Sequence, residues 1–175
     1  MRRALVIAIG IVALGALSGG AAYEHASSRS GDWREIAWPF PRDGWPAGKA
    51  YRSGEGVEVY VRPKIGFCNC DVGVADDDEV DRVADLDLIS EHFAPLAAGR
   101  VVRVADMPGR IRPYALAMSD GSRHAAVGIA VSHRCDLMVA VAKGKGDAAD
   151  VQRAALDFLA TNAMIRWIVA SMDGR

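Results

Sequence analysis

The cysteines are the side chains of this sequence best suited to chemistry. Cys68 and Cys70 lie two residues apart, and Cys135 follows His133 by two residues. Side chains two apart on a strand project from the same face, so Cys68 and Cys70 would lie side by side. In an oxidising compartment the simplest outcome is one structural disulfide that joins Cys135 to Cys68 or to Cys70 and leaves one thiol over.

The same residues support two other kinds of site. Three thiolates and one imidazole, from Cys68, Cys70, Cys135 and His133, would suit Zn(II) or Cu(I), although C-x-C is not the usual C-x-x-C zinc spacing. A strained bond between Cys68 and Cys70 would instead form a labile redox pair. Three free thiols are the remaining alternative. We expect no cofactor, with Zn or Cu as the alternative.

Four consecutive acidic residues open a predicted internal helix: Asp76, Asp77, Asp78 and Glu79. Carboxylates at a helix start cap the free amides and complement the helix dipole. An EF-hand is excluded, because Arg82 stands where its loop needs Gly and Leu88 where it needs Glu. The acidic face could dock a basic partner. It could also pair with arginines that follow in the chain: Arg100, Arg103, Arg110 and Arg112.

A glycine-rich basic segment joins the last predicted strand to the last predicted helix: Lys143, Gly144, Lys145 and Gly146. Backbone amides at such a junction can bind an anion. The segment lacks the Walker spacing, and Asp147 already occupies the predicted N-cap position. A tight turn is therefore the favoured interpretation, with an anion site as the alternative.

Residues 33–46 combine three tryptophans, Trp33, Trp38 and Trp45, with one phenylalanine and three prolines. The prolines exclude a regular helix, and rings at this density are unfavourable in water. We expect an extended segment that lies across the domain with its rings in surface grooves. A partner-docking arm is the alternative.

The N-terminus has the order of a secretory signal. Arg2 and Arg3 precede an uncharged apolar stretch, residues 4–22, which ends in small residues that include Gly20 and Ala22. Its 19 residues also approach the length of a membrane-spanning helix. We therefore predict a signal peptide or an anchor, with the remainder in the periplasm or on the periplasmic face of the inner membrane of a bacterium.

Hydrophobic periodicity predicts an α+β fold. Val57, Val59 and Val61 alternate with polar residues, which indicates a strand with one buried face. A second strand, an internal helix that stops near Pro95, and a long C-terminal helix are also expected. The predicted ranges are strands over 65–72, 101–105, 111–118, 124–131 and 137–142, an internal helix from 76–78 onward, and a final helix over 148–172. The strands would form an antiparallel meander of about five to six members flanked by the two helices.

This order of elements resembles the PsbP-like α/β/α sandwiches and the longin fold. The resemblance covers about residues 50–172 and rests on topology alone, so it implies a fold and no site residues. The expected organisation is a signal or anchor over 1–22, a linker and Trp/Pro-rich arm over 23–50, and one α+β domain over 51–175.

Charge and motif content exclude several classes of function. The chain has 175 residues with 21 basic against 22 acidic side chains, so the basic surplus of a nucleic-acid-binding protein is missing. No G-x-S-x-G, H-E-x-x-H, G-x-G-x-x-G or C-x-x-C motif occurs. We therefore expect a non-enzymatic exported module that binds another periplasmic or inner-membrane protein. The alternative is a cysteine-centred metal or thiol-redox protein.

Overall fold

An antiparallel sheet of eight strands forms the centre of the described chain, which is residues 32–41, 46–66 and 73–173 of a computed structural model. The predicted signal or anchor, the linker, Trp45, Cys68 and Cys70 lie outside these residues. The strands are β1 (Arg34–Ile36), β2 (Lys49–Arg52), β3 (Glu58–Lys64), β4 (His92–Pro95), β5 (Arg100–Val104), β6 (Met107–Ala117), β7 (Arg123–His133) and β8 (Asp136–Gly144). The helices are α1 (Asp77–Val83), α2 (Ala148–Leu159) and α3 (Asn162–Asp173).

The strand order is β1-β2-β3-β8-β7-β6-β4, with β5 also paired to β6. All of these pairs are antiparallel. The expectation of an antiparallel α+β fold is therefore confirmed. Because β3 pairs with β8, the early strands join the late hairpins in one continuous sheet.

Alternation along the central strands gives the sheet two buried faces. In β7, Val127 and Ile129 point toward α2 and α3, whereas Ala126 and Ala130 point toward α1. Side chains of successive strand residues point to opposite faces, so a strand buried on both sides is apolar at nearly every position. The helices thus cover opposite faces of the sheet.

The C-terminal helix is two helices, which corrects the prediction of one long helix over 148–172. α2 ends at Leu159, and the Thr161 hydroxyl accepts a hydrogen bond from the Met164 N–H at 3.4 Å at the start of α3. The break rotates the second apolar stripe: Met164 and Ile168 are buried, whereas Ile165 and Val169 are only half-buried.

The internal helix is shorter than the prediction. α1 ends at Val83, Ala84 is extended, and Phe93 belongs to β4. Apolar residues do continue beyond Val83, but Leu86 enters the core from a non-helical segment. The prediction failed because backbone hydrogen bonds from β6 are available to residues 92–95, and local spacing cannot reveal them.

The prediction of five to six strands was too low for the described residues. β1, β2 and β4 are each three or four residues long and had no clear periodicity. Ile65 and Gly66 form a turn where a second strand was predicted, and the rest of that strand lies outside the described residues. Residues 107–110, which lie between two predicted strands, are the start of β6, because the chain reverses at Ala105 and Asp106.

Candidate functional site

A buried polar cluster on β3 is the feature that the sequence interpretation missed. All seven residues of β3 are buried, although the alternation predicted only one buried face. Val59 and Val61 face α2 and α3. The opposite face carries the polar side chains Glu58, Tyr60, Arg62 and Lys64. Buried charges require partners, so the ion pairs of this face decide what it can do.

Asp85 holds the α1 end of the cluster. It accepts hydrogen bonds from Arg62 Nε at 2.6 Å and Nη2 at 2.7 Å, and from Lys64 Nζ at 2.8 Å. Lys64 also donates to the Val83 carbonyl at 2.7 Å. Arg62 Nη1 is buried with no hydrogen-bond partner among the described residues. One carboxylate is therefore shared by two buried cations.

Glu58 holds the other end. It accepts hydrogen bonds from Arg52, Tyr60 and Lys143, with Lys143 Nζ at 2.9 Å. Burial alone would raise the pKa of Glu58, but these donors lower it to about 2. Burial and the hydrogen bond to Glu58 raise the pKa of the Tyr60 hydroxyl. Glu58 is therefore a fixed anion that positions its neighbours and not a proton donor near neutral pH.

The acidic run at α1 is used mostly inside the fold. Asp76 caps the helix by accepting from the Glu79 N–H at 2.9 Å. Asp77 accepts from the Gly99 N–H at 2.8 Å and from Arg110 Nη2 at 2.6 Å, and these contacts lower its pKa. Asp78 is exposed. The run thus supplies a helix cap and an ion pair to Arg110, one of the arginines expected as its partners.

A repeated spacing underlies these contacts. Asp77, Asp81 and Asp85 are four residues apart, and each pairs with an arginine of the sheet. Arg110 and Arg112, which bind the first two, are two residues apart on β6 and so share a face. The sequence does contain a signal for these ion pairs: carboxylates that recur every four residues, and two arginines that lie two residues apart.

Cys135 lies in the two-residue turn between β7 and β8, after Arg134, whose φ is +56°. The His133 Nε2 lies 3.4 Å from an Asp173 carboxylate oxygen, and Arg134 donates to the same oxygen at 3.0 Å. No group of three metal-ligating side chains occurs in residues 32–41, 46–66 and 73–173. The proposed partners Cys68 and Cys70 lie outside those ranges.

The aromatic arm packs on its own domain. The Trp33 ring stacks on Phe158 with centroids 4.4 Å apart. Trp38 meets Phe40 and Tyr60 edge-on, at 5.3 Å and 6.4 Å between centroids. Its ring also covers Gly48, where a Cβ would lie 2.5 Å from the ring. These contacts are those that a wrapping segment would make, and Trp45 lies outside the described residues.

The Lys-Gly segment is split between a strand and a loop. Lys143 and Gly144 belong to β8, and Lys143 is paired with Glu58. Lys145 and Gly146 are exposed. Asp147 caps α2 as predicted, since its carboxylate accepts from the Ala149 N–H at 2.7 Å. The helix N-terminus is therefore already occupied by a carboxylate.

Large apolar side chains are exposed at one edge of the sheet. Phe93 on β4 is 36% exposed, Leu96 just after it 57%, and Val101 on β5 69%. Phe93 contacts Tyr114 edge-on at 6.1 Å between centroids. No other large apolar residue of the described chain reaches this exposure.

No family model and no curated protein matches this chain. Among solved structures it is similar to a Pseudomonas aeruginosa protein of unknown function, with 11% sequence identity and a TM-score of 0.40. The alignment covers 71% of this chain and 91% of that one. Such a similarity carries no argument about function. None of the helices in the described part of the chain is long and apolar enough to cross a membrane.

Proposed function

We propose that this chain is an exported bacterial protein that binds another periplasmic or inner-membrane protein through the edge of its sheet. The contact surface, which we term the apolar edge, is β4, residues 96–99 and β5. The observation that carries the proposal is the exposure of Phe93, Leu96 and Val101 at this one edge. Large apolar side chains that remain exposed along one edge of a sheet mark a candidate interaction site.

The geometry of the sheet brings two of these side chains to the same face. Phe93 is opposite Leu116 on β6, and Val101 is opposite Arg110. Both partners lie on the α1 face, where Leu116 is buried and Arg110 binds Asp77. Residues directly opposite on antiparallel strands share a face, so Phe93 and Val101 flank α1 on one surface.

The strands of the apolar edge differ in how well their backbone could pair with a further strand. Pro95 has no N–H, so β4 is a poor template for a further strand. β5 pairs with β6 alone among the described strands, and its exposed Arg100 and Arg103 border Val101. A partner that contacts side chains along β4 and 96–99, and backbone along β5, fits this surface best.

Export is the second part of the proposal, and residues 1–22 support it through their positive, apolar and small-residue order. An oxidising compartment also suits a disulfide at Cys135. Gly66 donates its N–H to Asp136 at 2.6 Å, and a Cβ on Gly73 would lie 2.9 Å from Ser132 Oγ. Both ends of the segment that contains Cys68 and Cys70 thus lie beside the hairpin that carries Cys135. We propose that one of those two cysteines is its partner.

Site-specific photocross-linking in cells tests the apolar edge. A photoreactive residue at position 96 or 101 should give a discrete adduct with another protein, and the same residue at exposed position 166 on α3 is the matched control. Leu96→Asp combined with the probe at 101 should abolish the adduct. Equal adducts from position 166, or none from 96 and 101, would contradict the proposal.

Intact mass separates the disulfide from the metal alternative. After alkylation without reductant, we expect one cysteine modified and two protected, and all three modified after reduction. Three alkylated cysteines without reductant, together with bound Zn or Cu by elemental analysis, would favour the cysteine-centred metal protein. Fractionation that finds the intact chain in the cytosol would reject export.

A further inference from the structure

A row of charged side chains crosses the sheet from its β1 edge. Arg34 is directly opposite Arg52, Arg52 opposite Glu58, and Glu58 opposite Lys143. Directly opposite residues in an antiparallel sheet project from the same face, so the four side chains form one line, here termed the basic row. The row contains three cations and one carboxylate.

The single carboxylate of the row is already shared. Glu58 accepts from both Arg52 and Lys143, and its side chain is only 12% exposed. Arg34 is exposed and has no contact with a carboxylate among the described residues. Its sequence neighbour Glu35 points to the other face and binds Lys49 at 3.1 Å. Like charges directly opposite are unfavourable, so Arg34 beside Arg52 lacks a counter-charge.

A cleft of about 630 Å³ opens beside these two arginines. Its lining consists of Asp32, Trp33, Arg34, Arg52, Ser53, Gly54 and Gly56. Asp32 contributes one negative charge to this lining, while Glu55 at the tip of the adjacent turn is exposed and lies outside it.

We propose that Arg34 and Arg52, at the mouth of this cleft, bind a phosphomonoester group. Arginine presents a planar fork of N–H donors that matches phosphate oxygens in bidentate geometry. A phosphomonoester carries close to two negative charges at neutral pH, so it attracts two arginines more strongly than the single charge of a carboxylate or a phosphodiester does. Free phosphate and a lipid-borne phosphomonoester share this chemistry.

Calorimetric titration of the full chain in neutral detergent with inorganic phosphate tests binding of the free ligand. Flotation of the full chain with vesicles tests binding of a lipid-borne phosphomonoester. The vesicles are phosphatidylcholine alone, or with phosphatidic acid or with the diester phosphatidylglycerol. Saturable binding of phosphate indicates the free ligand, and preference for phosphatidic acid over phosphatidylglycerol indicates the lipid. Binding of neither phosphate nor phosphatidic acid overturns the proposal.

Three variants assign the binding to the cleft. Arg34→Gln should weaken binding about fivefold, the scale of one solvent-accessible charge pair, without disturbing a contact of the fold. Asp32→Asn should strengthen it by a similar factor, since it removes the opposing charge of the lining. Arg166→Gln on α3 makes the same change in net charge and should leave affinity unaltered. An equal loss in Arg166→Gln would mean nonspecific attraction and would reject the site.

Discussion

The two faces of the sheet differ in whether ion pairs add to their apolar packing. On the face covered by α2 and α3, the contacts are apolar and include Leu159 and Ile168 against β7 and β8. On the face covered by α1, three carboxylates of α1 and the segment after it bind arginines of β3 and β6. Val80 and Val83 of α1 are also fully buried in an apolar cluster on this face, so both apolar packing and these ion pairs hold α1 on the sheet.

This difference predicts how substitutions on each face change the free energy of unfolding. When a packed apolar side chain is truncated, the free energy of unfolding falls with the size of the cavity that remains. The cavity remains because the surrounding side chains relax only in part. Removing one partner of an interior ion pair also reduces the stability strongly, because the remaining charge stays desolvated. Substitutions on the two faces should therefore differ in size and in their response to pH.

The largest effect should come from Asp85→Asn. This change leaves Arg62 and Lys64, with side chains 5% and 8% exposed, without their shared anion. We expect the free energy of unfolding to fall by about 4 kcal/mol. Urea denaturation measures the change, and Asp87→Asn, an exposed position in the same segment, serves as the control. A loss no greater than that of the control would show that α1 does not depend on the ion pair.

Leu159→Ala tests the apolar face. Leu159 is fully buried at the end of α2, so its truncation should leave a cavity and reduce the free energy of unfolding by about 3 kcal/mol. The half-buried Leu156 provides the matched Leu→Ala control with a smaller expected loss. The effect of Leu159→Ala should be the same from pH 5 to pH 2, in contrast to the polar face. A pH-dependent effect would contradict the proposed division.

Acid should weaken the polar face through Glu58. Its pKa is about 2 in the folded protein against an ordinary 4.5, so the carboxylate stabilises the fold fully above pH 4.5. That contribution is lost as pH falls from 4.5 through about 2, and we expect it to be about 2 kcal/mol. Urea midpoints measured across this range should fall more steeply in the wild type than in Glu58→Gln. Parallel pH profiles would assign the acid sensitivity to other groups.

The smallest effect should come from the cap of α1. Asp76→Ala removes the side chain that accepts from the Glu79 N–H and should reduce the free energy of unfolding by about 1 kcal/mol. Asp78→Ala in the first turn removes an equal charge without a cap. If the two variants lose the same stability, the helix dipole and not the hydrogen bond is responsible.

Sequence periodicity located the central hairpins well. The predicted strands over 124–131 and 137–142 fall within β7 and β8, because long alternating runs flank a clear turn. It failed at β1, β2 and β4, which have three or four residues each. Such short strands exist because a neighbouring strand supplies their hydrogen bonds, and that neighbour is distant in sequence.

The polar cluster on β3 shows the same limit of sequence periodicity at the candidate functional site. Alternation along β3 correctly separated Val59 from Tyr60, but it placed the polar side chains in solvent. They are buried because Asp85 and the rings of Trp38 and Phe40 cover them. Spacing reports which residues share a face of a strand, and it cannot report what lies above that face.

The amino-acid sequence by itself determined the α+β class, the two central hairpins, the cap of α2 at Asp147 and the lack of a basic surplus. These follow from local spacing and composition, which need no knowledge of distant contacts. The tertiary structure alone decided that Arg34 lies opposite Arg52, that Asp85 neutralises Arg62, and that Val101 remains exposed. Each of these depends on strand register and on packing between segments far apart in the chain, where long-range pairing sets the energy.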